Sequence, residues 1–211
     1  VAPAPGTGPA MIFAQAGFAA ISIDGPVGGL RNPGGEDEQF LLFNTLNTTA
    51  LLDNVRESAL ESGLAAHLLG DFTIDASGAG CAGLSVVGGS TVVFDTSKIV
   101  LFGHSMGASI APLTAAVEPR IKAMILSGSG ASWLENMIYK EHPVDVRAFL
   151  EGQLDVADLT RFDPGVGMIQ WAGESADAQV YARHLVHDPL PGSSPRHVLM
   201  FQGMVDHYIM P

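Results

Sequence analysis

One pentapeptide of the sequence places a serine in the spacing that nucleophilic catalysis uses. Residues 103–107 read Gly-His-Ser-Met-Gly, which matches the pattern G-x-S-x-G around Ser105. The pattern is typical of a sharp turn between a strand and a helix. We expect that side chains at positions 103 and 107 would collide with these two elements, which explains the glycines there. Such a turn exposes the serine hydroxyl for attack on an acyl carbon. The N–H of Met106, at the start of the helix, would stabilise the oxyanion that develops.

The sequence on both sides of the pentapeptide favours this interpretation over a chance match in a chain with 25 glycines. Residues 99–102 form a short apolar run, typical of a buried strand, and residues 106–117 are predicted to form a helix that ends before Pro119. A second strand predicted over residues 121–126 completes a parallel strand–helix–strand unit. His104 directly precedes the serine, so we expect its side chain to point away from the nucleophile and to pack or to form hydrogen bonds.

The wider hydrophobic pattern predicts an α/β fold with a mostly parallel sheet and flanking helices. A short helix is predicted over residues 10–16, followed by a strand at residues 18–24 that is buried on both faces. Residues 48–69 have the spacing of an amphipathic helix, and residues 197–202 form the last predicted strand. Residues 131–195 contain three helical patterns and no obvious strand. The predicted parts of the chain are therefore a first core part (1–130), a helical insertion (131–195) and a second core part (196–211).

Composition and charge exclude several classes of partner. The 211 residues are 47% hydrophobic and 15% charged, which predicts a folded domain with a sizeable core. A formal net charge of −12 disfavours nucleic acid as a partner, although acidity can serve solubility alone. No apolar run reaches about eighteen residues, so we expect no membrane-spanning segment. The single cysteine, Cys81, allows neither an internal disulfide nor a cysteine-based metal site, and its glycine-rich surroundings predict a loop.

Four stretches of the sequence resemble the α/β-hydrolase superfamily, in particular bacterial serine esterases and lipases. The most specific is FDTSKIVLFGHSMG around Ser105, and the others are GFAAISIDGPVGGLR, IKAMILSGSG and HVLMFQGMVDHYIMP. The resemblance implies the α/β-hydrolase fold, in which residues 131–195 correspond to a cap. It also implies that Asp206, which follows the last predicted strand, is the acid of a Ser–His–Asp triad. The alternative for Asp206 is a loop aspartate that caps a turn.

The resemblance accounts for a serine and an acid but leaves the catalytic histidine unmatched. The triad order in these enzymes is serine, acid, histidine, so the histidine is expected beyond Pro211. The family fold would also begin before Gly17, so its first strands and its last strand would be lacking. We therefore expect the chain to be part of a longer or cleaved protein and to be almost inactive when made alone. The alternative is a base within the chain, for which His207 leads. The other histidines considered are His67, His142, His184 and His187.

These features predict a serine hydrolase that cleaves carboxylic esters of a small molecule or lipid. Ser105 would form an acyl-enzyme, Asp206 would orient the histidine, and no metal or organic cofactor would be required. Two alternatives stay open: an amidase or peptidase of the same fold, and a binding module without a complete triad. The chain begins with Val1 rather than Met, which leaves room for a removed export signal and favours a secreted or cell-envelope location over a cytoplasmic one.

The apolar side chains of the predicted cap have two possible roles. We expect the cap to pack over the Ser105 side of the sheet and to line part of a cleft. The residues expected there are Trp133, Met137, Ile138, Met168 and Trp171. The alternative is that they form only a local core within the insertion.

Overall fold

The computed structural model describes residues 8–77 and 89–210 and has an α/β architecture, which confirms the predicted fold class at this level. Its helices are α1 (Pro9–Gln15), α2 (Glu38–Leu42), α3 (Thr48–Leu68), α4 (Met106–Val117), α5 (Trp133–Tyr139), α6 (Val146–Leu154), α7 (Pro164–Gly173) and α8 (Ala178–Val186). Its strands are β1 (Thr73–Asp75), β2 (Thr91–Val93), β3 (Ile99–His104), β4 (Ile121–Ser127) and β5 (His197–Phe201). Among the described residues, no helix combines the length and the apolar character needed to cross a membrane.

The central sheet has three parallel strands in the order β3-β4-β5. Helix α4 connects β3 to β4, which confirms the predicted strand–helix–strand unit, and α5 to α8 form the longer connection to β5. In the register of the sheet, Phe102 lies opposite Ile125, and Ile125 lies opposite Leu199. The carboxyl ends of all three strands meet at one edge, so the sheet brings together the residues that follow each strand.

Helices α3, α4 and α8 form a layer on one face of the sheet, and α4 contacts both of the others. Val55 and Ala59 of α3 are buried as the predicted apolar stripe requires, and the hydroxyl of Thr114 donates a hydrogen bond to the carbonyl oxygen of Ala59 at 3.2 Å. Leu185 of α8 belongs to the same buried cluster as Met124 of β4. Helix α4, which begins directly after Ser105, is therefore held between two helices and the sheet.

The opposite face of the sheet is only partly covered by the described residues. Side chains alternate between the faces along a strand, so Phe102, Leu199 and Phe201 point away from α4. These residues are 40%, 51% and 55% exposed. Phe13 of α1 packs against Phe102, with ring centroids 5.7 Å apart. In the described residues, the deeply buried side chains of the sheet are therefore on the face that the helices cover.

The predicted insertion at residues 131–195 divides into two parts. Helices α5, α6 and α7 surround a core of their own, and we call this part, residues 131–173, the cap. Its buried residues are Met137, Ile138, Leu150, Leu159 and Val166. Helix α8 instead packs against α4 and belongs to the layer that covers the sheet. The pattern predicted α5, α6 and α8 but missed α7, because the glycines of α7 lower its intrinsic helix propensity.

The strand predicted at residues 18–24 is wrong. This segment has no regular secondary structure, and Phe18, Ile21 and Ile23 are exposed. A strand forms only where its backbone N–H and C=O groups pair with a neighbour, and none of the described strands pairs with this segment. An apolar run alone was therefore not sufficient to predict a strand.

A short antiparallel pair is formed by β1 and β2, which precede and follow the glycine-rich stretch around Cys81 in the sequence. Thr73 of β1 pairs with Val93 of β2, and Asp75 pairs with Thr91. Each strand has three residues and is largely exposed, so the hydrophobic pattern contained no signal for it. The loop predicted around Cys81 lies outside the described residues.

The cap core supports a stability prediction with a matched pair of methionines. Met137 is 2% exposed inside the cap, whereas Met168 is 66% exposed on α7. Met137→Ala should lower the free energy of unfolding by about 2–4 kcal/mol, because it removes buried methylene groups and leaves a cavity. Met168→Ala should change that free energy by less than about 0.5 kcal/mol. Urea denaturation followed by circular dichroism measures both changes, and equal losses would contradict the assigned core.

Candidate active site

The backbone at Ser105 forms the sharp turn that the pentapeptide predicts. β3 ends at His104, α4 begins at Met106, and Ser105 between them has φ 52° and ψ −117°. A positive φ is unfavourable for a residue with a Cβ atom and costs about 1–3 kcal/mol where surrounding contacts impose it. Two hydrogen bonds hold the turn: the Ser105 N–H donates to the carbonyl oxygen of Ser127 at 2.9 Å, and the Ser105 carbonyl oxygen accepts from the N–H of Ala108 at 2.8 Å.

Gly103 allows α4 to pack directly against β3. A Cβ atom on Gly103 would lie 2.7 Å from the carbonyl carbon of Gly107 and 2.9 Å from the Cα of Ala108. Such distances are too short for packed atoms, so any side chain at position 103 would push the helix away from the strand. The collision predicted for a side chain at Gly107 is wrong. Apart from its chain neighbours and the backbone of its own helix, a Cβ atom on Gly107 would meet no atom within 4 Å. Gly107 contributes its backbone to this close contact, and space is available for a side chain on it.

Met106 is the first residue of α4, the position predicted for an oxyanion donor. The first N–H groups of an α-helix have no acceptor inside the helix, and the helix dipole adds positive potential at this end. The side chain of Met106 packs against the buried cluster that contains Leu42 and Val55. This anchoring fixes the start of the helix next to Ser105.

The start of α4 is also tied to the loop that follows β4. Pro112 lies inside α4 and has no N–H to donate to the carbonyl oxygen of Ala108. The hydroxyl of Ser129 donates to this oxygen instead, at 3.5 Å, and the hydroxyl of Ser109 donates to the carbonyl oxygen of Gly130 at the same distance. The helix interruption thus creates an acceptor that holds the neighbouring loop.

Asp206 lies in the loop that follows β5, beside the carboxyl end of β4. Its Oδ1 accepts hydrogen bonds from the N–H groups of Tyr208 at 2.9 Å and Ile209 at 3.1 Å. Its Oδ2 has no hydrogen-bond partner among the described residues and lies near Gly203 and Gly128, on which Cβ atoms would lie 3.6 Å and 3.9 Å away. The turn-capping role and the acid role are therefore compatible, because each uses a different oxygen.

The environment of Asp206 favours its ionised form. Hydrogen bonds from the N–H groups of Ile209 and Tyr208, and then the nearby charges of Lys140 and His207, hold the pKa of Asp206 below its usual range. A carboxylate that stays ionised at neutral pH can orient a histidine and stabilise its protonated form.

The order of the strands places the starts of the Ser105 turn and the Asp206 loop at the same edge of the sheet. Ser105 follows β3 and is bonded to Ser127 at the end of β4, while the Gly128 N–H donates to the carbonyl oxygen of Phe201, at the end of β5, at 2.8 Å. With neighbouring strands about 4.8 Å apart, the two loops begin about 10 Å apart. The loop after β5 then extends toward the end of β4, because Asp206 lies near Gly128.

The seven histidines separate into two groups, and within the described residues none is hydrogen-bonded to Ser105 or Asp206. One group lies near the amino ends of the strands, at the edge opposite Ser105; it comprises His67, His184, His187 and His197. The other group lies near the carboxyl ends and comprises His104, His142 and His207.

His207, the leading candidate for a base within the chain, is paired with the cap. Its Nδ1 lies 2.7 Å from Oε2 of Glu141, which follows α5. The ring of His142 lies beside it, with centroids 6.2 Å apart. Sequence reasoning missed Glu141 because no spacing or motif connects it with His207.

His104 forms a hydrogen bond, which is one of the two roles expected for it. Its Nδ1 lies 3.1 Å from the Oγ of Ser127, and this pair links the carboxyl ends of β3 and β4. A histidine beside a serine hydroxyl is also an arrangement that can activate a nucleophile, so Ser127 is the serine to compare with Ser105. The sequence contained no signal for this pair, because it arises from the register of the two strands.

Both ends of α5, the first helix of the cap, lie at the edge of the sheet where Ser105 lies. At its start, the buried carboxylate of Asp177 accepts hydrogen bonds from the N–H groups of Ser132 at 2.9 Å and Trp133 at 3.0 Å. At the end of α5, Glu141 and its neighbours contact the loop that contains Asp206. These contacts place α5 near the carboxyl edge of the sheet.

The cap residues expected to line a cleft fall into different environments. Met137 and Ile138 are buried inside the cap, as the local-core alternative predicts. Met168 and Trp171 are 66% and 77% exposed on α7. The ring of Trp133 packs against that of Phe43, with centroids 5.6 Å apart, and therefore connects the cap to the segment that precedes α3.

No protein-family model, curated protein or solved structure matches this chain. The chemistry of the site is therefore inferred from its own geometry. Across residues 8–77 and 89–210, no group of three or more His, Cys, Asp or Glu side chains is arranged to hold a metal ion. The arrangement that the structure does contain is a serine on a strained turn, a helix N-terminus beside it and an ionised aspartate in the loop after β5.

The two glycines of the pentapeptide provide a direct test of this geometry. Gly103→Ala should lower the free energy of unfolding by about 3 kcal/mol, because the added methyl group overlaps the backbone of α4. Gly107→Ala, which adds the same methyl group where space is available, should change it by less than about 1 kcal/mol. Chemical denaturation of both variants measures the difference. Similar losses in the two variants would show that the close contact between β3 and α4 is not as described.

Proposed function

We propose that this protein is a serine hydrolase that cleaves carboxylic esters through an acyl-enzyme on Ser105. The observation that carries the proposal is the strained backbone of Ser105, with φ 52° and ψ −117°, directly before α4. Strain of this kind in a non-glycine residue persists only where its surroundings impose it, and it occurs preferentially at active sites. We further propose that the α/β architecture is an α/β-hydrolase fold, because the sequence around this turn resembles that superfamily.

In the proposed mechanism, the Oγ of Ser105 attacks the ester carbonyl carbon while a histidine accepts the hydroxyl proton. The Met106 N–H, at the positive end of α4, stabilises the oxyanion. Asp206 accepts a hydrogen bond from the histidine at Oδ2 and stabilises its protonated form. The histidine then returns the proton to the departing alcohol as the C–O bond breaks. Water attacks the acyl-enzyme by the same route, releasing the carboxylic acid and restoring the serine.

The proposal assigns the base to a histidine supplied from outside the 211 residues. Among the described residues, the three histidines at the carboxyl edge of the sheet have other neighbours: His104 is bonded to Ser127, His207 to Glu141, and the ring of His142 lies beside those of Tyr208 and His207. Tests of activity therefore use the full-length protein.

Ester cleavage is proposed ahead of amide cleavage because the stretch around Ser105 resembles esterases and lipases. The turn and the helix N-terminus serve either reaction, since both proceed through an acyl-enzyme. A panel of p-nitrophenyl esters and aminoacyl anilides separates them by the ratio of kcat/KM values. A higher kcat/KM for the anilides would replace the esterase proposal with an amidase.

A binding module without catalytic activity is the second candidate function. It is favoured by the lack, among the described residues, of a histidine bonded to Ser105. A serine hydroxyl without a base is a poor nucleophile at neutral pH. A fluorophosphonate probe separates the two candidates, because it labels an activated serine and leaves an inert one unmodified.

We predict that Ser105→Ala in the full-length protein reduces p-nitrophenyl butyrate hydrolysis by at least about a thousandfold and abolishes fluorophosphonate labelling. Ser127→Ala is the matched control, since it removes the other serine hydroxyl that lies beside a histidine at this edge of the sheet. It should retain both hydrolysis and labelling. If labelling is lost in the Ser127 variant and kept in the Ser105 variant, the nucleophile has been assigned to the wrong serine.

A second prediction concerns His207. If His207 only connects the acid loop to the cap, His207→Ala should lower kcat/KM by less than about tenfold, because the pair with Glu141 is exposed and weak. Loss of a catalytic base would instead cost on the order of ten-thousandfold. The measurement is the kcat/KM for p-nitrophenyl butyrate, with folding checked by circular dichroism. A loss near the larger figure would make His207 the base.

A further inference from the structure

The segment of the cap that follows α5 and the loop that contains the proposed acid are joined by converging hydrogen bonds. The N–H groups of Glu141 and His142 both donate to the carbonyl oxygen of His207, at 3.2 Å and 3.0 Å. We call this contact the clasp; its two sides are residues 140–142 of the cap and residues 206–209, the acid loop. Because the bonds are made by backbone groups, they fix the path of both segments.

Side chains add two further contacts to the clasp, and these differ in their exposure to solvent. The Nζ of Lys140 donates to the carbonyl oxygen of Tyr208. The His207–Glu141 pair has side chains that are 52% and 58% exposed, so water screens it. Lys140 is half-buried: burial lowers its pKa, and the charge of Asp206 acts in the opposite direction. Lys140 is therefore a partly desolvated cation that bonds the acid loop and lies within electrostatic range of the Asp206 carboxylate.

The residues that Lys140 holds are the ones that bind Asp206. The Oδ1 of Asp206 accepts from the N–H groups of Tyr208 and Ile209, so the position of this short turn fixes the position of the carboxylate. Ile209 is buried against Gly130, where a Cβ atom would lie 2.6 Å from its Cγ2. The turn is thus held on one side by the loop after β4 and on the other side by the cap.

We infer that Lys140 is a positioning residue for Asp206, and that the clasp holds the Asp206 carboxylate beside Gly128, at the edge of the sheet where Ser105 lies. The catalytic consequence of this inference rests on the proposed function. A further consequence concerns motion: the acid loop must follow any displacement of the cap or lose these hydrogen bonds. The alignment of the acid is therefore coupled to the position of the cap.

The first test measures Asp206 directly and does not require activity. In full-length protein with Ser105→Ala, ¹³C NMR of the Asp206 carboxyl carbon reports its pKa. Lys140→Met should raise the pKa of Asp206 by on the order of half a unit or more, because a nearby positive charge favours the carboxylate and the turn that binds Oδ1 loosens. Lys140→Arg, which keeps the charge and donor groups, should restore the low pKa.

Lys122 provides the matched control. Its Nζ also donates to a backbone carbonyl oxygen, that of Pro119, at 2.8 Å, but it lies at the opposite edge of the sheet. Lys122→Met should leave the pKa of Asp206 unchanged. If Lys140→Met does not fold, Lys140→Gln is used in its place, because it removes the charge with a polar side chain of similar length.

The second test measures catalysis in the enzyme with Ser105 intact. Lys140→Met should lower kcat by about tenfold with KM unchanged, since a misplaced acid affects the reaction and not the binding of substrate. Lys140→Arg should restore kcat, and Lys122→Met should not alter it. An undisturbed Asp206 pKa in Lys140→Met overturns the inference, and so does a raised pKa with an unchanged kcat. If the unsubstituted full-length protein has no hydrolase activity, the proposed function fails, while the NMR measurement still decides whether Lys140 positions Asp206.

Discussion

The close contact between Gly103 on β3 and the backbone of α4 is the constraint on which the site depends. Since no side chain separates the strand from the helix, the chain must reverse direction within Ser105, and this forces its positive φ. The strain of about 1–3 kcal/mol persists because α4 is packed on several sides. Small side chains permit that packing, and the nearly inaccessible ones on α4 are Ala108, Ala111, Ala115 and Ala116. The close approach that positions the serine is therefore a property of the whole helix.

The parallel register of the strands brings the other residues of the site next to the turn at Ser105. Residues after β3, β4 and β5 meet at one edge, so the turn at Ser105, the loop from Gly128 to Gly130 and the loop of Asp206 become neighbours. The middle loop contacts both of the others: Ser129 bonds to α4, and Gly130 packs against Ile209. The points at which these three loops begin are consequently set by strand spacing, which is a fixed dimension of a sheet.

The sequence could predict those parts of the structure that depend on local pattern. The β3–α4–β4 unit was predicted with small differences at the strand ends, because apolar runs, a helix start and Pro119 are all local signals. Residues 18–24 had the same apolar signal, but strand formation requires a partner and the described residues provide none.

Within the site, the sequence likewise predicted the residues that local motifs mark and missed those that depend on contacts between distant segments. Ser105, Met106 and Asp206 could be named from motif and order. The neighbours Ser127, Lys140 and Glu141 depend on register and on how the cap docks, which no local spacing encodes. The prediction for Gly107 was wrong for a related reason: the pattern indicates that a glycine is present, but only the packing reveals which of the two glycines lacks space for a side chain.

The serine and the acid are held by different kinds of force, and this difference has consequences for the site. Ser105 is fixed by steric contact and burial, which change little unless the core itself is disturbed. Asp206 is fixed by hydrogen bonds to its own loop and by a clasp whose charged members are partly exposed. Interactions of the second kind respond to displacement of the cap, to salt and to substitution at the surface. We therefore expect Asp206 to change position more readily than Ser105, whose position is set by the sheet.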